Sequence, residues 1–139
     1  MDGNICAGCS VCEAVCSLNH EGVVSPQFAR VRIIDHFVDG HRIEANYCRQ
    51  CTGAECLRVC RTHGAQAIYV DKKTGARVID PEKCDCRQLC IKACPRYPDS
   101  PIFVDPARKV CFKCDLCGGE PLCVKFCPEN ALSFPEEAS

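Results

Sequence analysis

The chain has 139 residues, no tryptophan and 17 cysteines, and its 17 basic and 18 acidic side chains leave a formal net charge of −1. A chain of this length makes one compact domain, its balanced charge offers no basic face to nucleic acid, and no apolar run approaches the roughly 20 residues of a membrane span. Cysteine at about 12% of the residues points either to a disulfide scaffold or to a metalloprotein.

The odd cysteine count argues against a disulfide scaffold. The start Met1-Asp2-Gly3-Asn4-Ile5 lacks the basic residues and apolar core of a secretory leader, so the expectation is a cytoplasmic chain whose thiols serve as ligands. The first cysteine run is Cys6-Ala7-Gly8-Cys9-Ser10-Val11-Cys12-Glu13-Ala14-Val15-Cys16. This is the C-x2-C-x2-C-x3-C spacing of bacterial iron–sulfur ferredoxins, in which three close thiolates hold one cubane and the fourth ligates a different one. Cys6, Cys9 and Cys12 therefore need a ligand from elsewhere in the chain, and Cys16 serves elsewhere. A structural zinc takes two separated cysteine pairs, which a single run of four thiols does not supply.

After Cys16 the chain reads as a helix end capped by Gly22, then as two strands over residues 29–36 and 41–46 joined at Asp39-Gly40. This hairpin is expected to cover the clusters. The second run is Cys48, Cys51, Cys56 and Cys60, with its middle gap widened to four residues. Residues 67–71 and 77–80 form a second hairpin about a turn at 72–75, which leads directly into the third run, Cys84, Cys86, Cys90 and Cys94-Pro95. Two cysteine runs bridged by one hairpin make a two-cluster ferredoxin unit, so the second and third runs pair with each other and leave the first for the fourth. The expected fold class is α+β with two nested ferredoxin-like units. Residues 1–47 and 95–139 form the outer unit and residues 48–94 the inner.

Beyond Pro95, the prolines at 98, 101 and 106 mark loop, with one short strand at residues 102–104. The fourth run, Cys114, Cys117, Cys123 and Cys127-Pro128, is followed by a final strand expected at residues 131–134 and a frayed tail.

The order of the four runs, the hairpin from Ala67-Ile68 through Gly75 to Asp80, and the stretch Lys113-Cys114-Asp115-Leu116-Cys117-x5-Cys123-Val124-x2-Cys127-Pro128 resemble the multi-cluster ferredoxin-type electron-transfer subunits of oxidoreductases. Those include the beta subunits of molybdopterin enzymes such as dimethylsulfoxide reductase, and the small subunits beside hydrogenases, tungsten aldehyde oxidoreductases and class II benzoyl-CoA reductases. In compactness the chain is most similar to the last two.

The resemblance implies four [4Fe-4S] clusters. Cys6, Cys9 and Cys12 would join Cys127; Cys114, Cys117 and Cys123 would join Cys16; and Cys48, Cys51 and Cys56 would join Cys94. For the last cluster, with Cys60, Cys84 and Cys90, the family spacing places a ligand at position 87, where Arg87 stands. Cys86, one residue away, is expected to replace it; otherwise the cubane is incomplete and the count falls to three. Cys111 is left as a buried free thiol, although Cys111-x2-Cys114-x2-Cys117 forms a competing ferredoxin register.

His20, His36, His41 and His63 occupy no ligand spacing and read as surface residues or as neighbours of ligands. Arg49, Arg58, Arg61 and Arg87 crowd the inner runs, where they could raise cluster potentials, meet a partner or lie in solvent. No motif for substrate chemistry is present. The function implied is a non-catalytic subunit that relays single electrons between a tungsten, molybdenum or hydrogenase-type catalytic subunit and a second redox partner. The alternatives are a freely diffusing polyferredoxin and, from another class, a cysteine-rich zinc interaction module.

Overall fold

Three of the four cysteine runs enter their helix through a residue in the left-handed region, a turn that folds the preceding loop back on itself. In the computed structural model, which describes residues 1–133, helix α1 (Val11–Glu21) follows Ser10 at φ 59°, α2 (Glu55–His63) follows Ala54 at φ 42° and α3 (Leu89–Ala93) follows Gln88 at φ 60°. The short α4 (Leu122–Lys125) starts after Pro121. Side chains four apart share a helical face. Cys12 and Cys16 therefore align on α1, as Cys56 and Cys60 do on α2. Cys90 on α3 is followed by Cys94 at its C-terminal cap, and Cys123 on α4 by Cys127 just beyond its end. As expected, α1 stops at Gly22, whose φ of 73° lets its N–H reach the Leu18 carbonyl at 3.0 Å.

The strands form three separate antiparallel hairpins. The first, β1 (Val31–His36) with β2 (Arg42–Tyr47), turns about Asp39-Gly40 as the sequence indicates. The second is β3 (Ile68–Val70) with β4 (Arg77–Ile79). Its turn is tied by Asp71, whose carboxylate accepts from the Thr74 hydroxyl at 2.7 Å and from the Thr74 amide at 3.2 Å.

The third hairpin corrects the sequence reading, which made residues 102–104 an isolated strand within a loop. β5 (Ile102–Asp105) pairs with β6 (Val110–Lys113) in the register Ile102↔Lys113 to Asp105↔Val110. Asp105 organises the turn, accepting from the amides of Ala107 and Arg108 at 3.0 and 3.2 Å. All four residues of β6 are buried.

The final strand expected at residues 131–134 is not formed over residues 131–133, and Phe134 lies outside the described residues. The Ala131 carbonyl instead accepts from the Asp2 amide at 2.8 Å and so joins the two chain ends.

Helix packing follows the cysteine pairing: α1 packs on α4, and α2 on α3. Two small buried clusters result. One gathers Cys12, Cys16, Ala29, Val31, Ala45 and Leu132; the other gathers Ile68, Cys90, Ile102 and Cys111. Residues 95–139 thus contribute to both. The Arg32 guanidinium lies 3.7 Å over the Phe103 ring and fastens the first hairpin to the third. The tip of the first hairpin leaves Phe37 and Val38 exposed. No helix among the described residues is long and apolar enough to cross a membrane.

Candidate iron–sulfur centres

All seventeen cysteines are free thiols, and sixteen of them gather as quartets around four cavities. Cavity I is lined by Cys6, Cys9, Cys12 and Cys127. Cavity II is lined by Cys16, Cys114, Cys117 and Cys123, and cavity III by Cys48, Cys51, Cys56 and Cys94. Cys60, Cys84, Cys90 and Cys111 line cavity IV. The first three quartets are those expected from the sequence. In the fourth, Cys111 stands at the wall where Cys86 was expected. Cys86 lies against Cys111 and Cys84 without lining the cavity.

α1 and α2 each carry cysteines to two neighbouring cavities, and α3 and α4 do so together with the cysteine just past their ends. α1 and α4 span I and II through Cys12/Cys16 and Cys123/Cys127, while α2 and α3 span III and IV through Cys56/Cys60 and Cys90/Cys94. Cavities II and III adjoin through Gln50, which is 1% exposed. Its side-chain amide donates to the Cys114 carbonyl at 2.8 Å and its oxygen accepts from the Arg77 amide at 2.8 Å.

These sites fit a polynuclear cluster on three observations. First, backbone N–H groups are aimed at a cysteine sulfur in every quartet: Ala131 at Cys127 (3.3 Å), Arg30 at Cys16 (3.2 Å), Gln50 at Cys48 (3.4 Å) and Cys111 at Cys84 (3.3 Å). Such donors stabilise anionic sulfur. The cysteine loops also take left-handed backbone at Ser10, Gln50, Ala54, Gln88, Leu116 and Cys117, the geometry of anion-binding nests. Second, among the described residues the one group of three spaced for a single metal ion is His20, Asp115 and Cys117, in which His20 and Asp115 are already paired. No cysteine quartet has the tight spacing of a tetrathiolate zinc site. Third, the thiols are held where an uncompensated thiolate would be costly. Burial pushes Cys12 and Cys114 up to about 12 and Cys123 to about 11. Burial acts in the same direction on Cys127, but the amides of residues 129–132 outweigh it and lower that thiol's pKa.

Two charged features around the quartets were not foreseen. Lys113 is 2% exposed, lines cavity III and places Nζ 3.4 Å from Cys48 Sγ, with no carboxylate paired to it among the described residues. Beside cavity II, His20 Nε2 meets Asp115 Oδ1 at 3.0 Å and Arg30 Nη1 meets Asp115 Oδ2 at 3.4 Å. His20 Nδ1 lies 2.8 Å from the Cys16 carbonyl oxygen. Burial alone would lower the His20 pKa, but Asp115 and Cys16 raise it to about 9. Burial would raise Asp115, yet His20 and Arg30 bring it down to about 2. His20 is thus a histidine seated against Cys16 at cavity II. The inner arginines divide: Arg58 pairs with Glu55 at the surface, Arg49 stacks on Tyr47 and lines cavity III, and Arg87 pairs with Asp85 and lines cavity IV.

Comparison with known proteins agrees with this geometry. The chain is 40% identical over 125 residues to the "aliphatic sulfonate oxidoreductase, polyferredoxin-like subunit" of Pyrococcus furiosus, covering 89% of this chain and 67% of that protein. It is 33% identical to protein NrfC of Escherichia coli strain K12, over 96% of this chain and 62% of that one. Among solved structures, it resembles a chain of the active site complex BamBC of benzoyl coenzyme A reductase in complex with benzoyl-CoA. That likeness has 26% identity and a TM-score of 0.51, over 96% of this chain and 74% of the other. The chain spans about three fifths to two thirds of the length of these curated relatives. Residues 40–137 match the model of the 4Fe-4S dicluster domain, and the chain belongs to that family.

Proposed function

We propose that this chain is the electron-transfer subunit of an oxidoreductase complex, carrying single electrons along four [4Fe-4S] clusters between a tungsten or molybdenum pterin catalytic subunit and a second redox partner. The observation that carries the reading is the row of four adjacent cavities, each lined by four cysteines. A cubane held by four thiolates supplies a one-electron couple and has no open coordination position. The relatives' names support membership of a larger oxidoreductase, and the sequence resemblance supports the pterin type. Substrate chemistry then belongs to the partner.

The reading includes nesting of an outer unit, residues 1–47 and 95–139, around an inner unit, residues 48–94. The packing of α1 on α4 and of α2 on α3 supports it. Helices that carry ligands to both cavities of a pair hold those sites side by side, and Gln50 with Lys113 connects the pairs. The residues thus favour the order I, II, III, IV.

Protein purified anaerobically in full should contain about sixteen iron and sixteen sulfide per chain, as four cubanes require. Eight or fewer of each would contradict the reading. Lys113→Met provides a second test. For a unit charge in the wall of cavity III, a separation on the order of 5 Å from an added electron and an effective dielectric constant near 20 give an interaction of roughly 3 kcal/mol. For a one-electron couple, about 1.4 kcal/mol corresponds to about 59 mV. The potential of the centre at Cys48, Cys51, Cys56 and Cys94 should therefore fall by on the order of 100 mV in a titration followed by paramagnetic resonance. An unchanged potential would remove Lys113 from that role.

A further inference from the structure

Five thiols stand at the fourth site, although a cubane takes four. Cys60, Cys84, Cys90 and Cys111 line the cavity, and Cys86 packs against the buried cluster that holds Cys90 and Cys111. We propose that Cys111, on β6, is the fourth thiolate of this centre, and that Cys86 is not a ligand. The assignment rests on the reading of the quartets as cluster sites and departs from the order of cysteines along the chain.

The first argument is placement. Three of the four cavities are each lined by three thiols of one run and one of its partner run, and at the fourth the lining has Cys111 in place of Cys86. Position 87, where the spacing of the run would put a ligand, holds Arg87. A guanidinium has donors only and cannot ligate iron. Its Nε is paired with Asp85 Oδ2 at 2.5 Å and its Nη1 donates to the His63 carbonyl at 3.0 Å, so the chain here is fixed by charge pairing. Cys86 follows Cys84 after a single residue, has left-handed backbone (φ 59°), and is absent from the residues that line the cavity.

The second argument is how Cys111 is delivered. In β6, side chains two apart share a face. Cys111 reaches cavity IV and Lys113 reaches cavity III, while the next residue, Cys114, lines cavity II. The strand therefore presents groups to two sites, and the residue just past its end serves a third. Pairing of Cys111 with Val104 sets its depth, and its amide donates to Cys84 Sγ at 3.3 Å, so backbone and sulfur address the same site.

The third argument is chemical. A buried cysteine is ordinarily inert packing against apolar neighbours. Cys111 is 2% exposed, yet its buried cluster includes Cys90, with Cys60, Cys84 and Cys86 packed against it. That company suits a ligand. One consequence is that the inner unit is not self-sufficient: residues 48–94 lack a ligand that the β5–β6 hairpin brings from the outer segment.

The test uses the full chain, purified anaerobically, as wild type, Cys111→Ala and Cys86→Ala, with iron and sulfide analysis and Mössbauer spectra. Cys86→Ala should keep the wild-type iron content. Cys111→Ala should lose iron, from about one sixteenth if the site becomes a three-iron cluster to about one quarter if it empties. The reverse pattern, equal loss or equal retention would each overturn the assignment. Because Ala at a buried position can impair folding, wild-type holoprotein is also treated with iodoacetamide and its peptides mapped. Labelling of the partly exposed Cys86 at undiminished iron content is expected, whereas protection of Cys86 until iron is chelated would overturn the proposal. Wild-type protein free of iron and sulfide would refute the relay reading itself, and so the two failures are distinguishable.

Discussion

Anaerobic removal of iron by a chelator is expected to abolish most of the ordered structure of this chain, seen as loss of the far-ultraviolet circular dichroism of its helices and hairpins. The elements are too small to persist alone. α3 has five residues and α4 four, against the 12–15 or so that an isolated helix needs even to be marginal. Among the described residues every sheet has two strands, and a lone hairpin is marginal at best. The buried apolar residues are largely alanine and cysteine; Val31, Ile68, Ile102, Val110, Phe112, Leu116 and Leu132 are the larger ones, each worth about 1.5–3 kcal/mol when fully buried. A cluster joining residues as distant as Cys12 and Cys127 would, by contrast, restrain the unfolded chain by on the order of 4–5 kcal/mol. The dependence on pH has a definite sign. Burial raises the pKa values of Cys12, Cys114 and Cys123, and these thiols must lose their protons to ligate iron. Acid therefore promotes release of iron and unfolding together. A cooperative thermal transition surviving in the iron-free protein would contradict this account.

The sequence made the parts with local rules legible. Asp39-Gly40 and the Asp71-to-Gly75 turn announced the first two hairpins, because turn geometry restricts residue choice. The x3 gap before the last cysteine of each run showed that one helical face must carry two thiols, and three quartets of lining residues are the ones that spacing implies. The β5–β6 hairpin was obscured by the prolines at 98, 101 and 106, although Asp105-Pro106-Ala107-Arg108 between two apolar triplets is itself a turn signal. Missing β6 hid its consequences, since Cys111 and Lys113 gain meaning only from the strand that lays them along two cavities. The strand expected at residues 131–134 had β-forming residues at hand, but strand pairing belongs to the partner as much as to the run. At residues 131–133 the neighbour is the Asp2 amide. Gln50, buried between two cavities, has no sequence signal at all, because its role depends on contacts with Cys114 and Arg77.

The pairing of opposite chain ends is the claim on which every centre in the proposed relay depends, and it is tested by comparing Cys16→Ala, Cys114→Ala and Cys48→Ala. Cys16 and Cys114 lie almost the whole chain apart yet line the same cavity, whereas Cys12, on the same helix face as Cys16, lines a different one. Removal of either Cys16 or Cys114 should therefore damage the same centre and leave that of Cys6, Cys9 and Cys12 largely intact. Since loss of one ligand can disturb adjoining cubanes, the comparison is between variants. The decisive measurement is the paramagnetic resonance spectrum of each reduced variant. The account predicts that Cys16→Ala and Cys114→Ala lose the same signal, while Cys48→Ala loses another. A spectrum of Cys16→Ala that matches Cys48→Ala and differs from Cys114→Ala would contradict it.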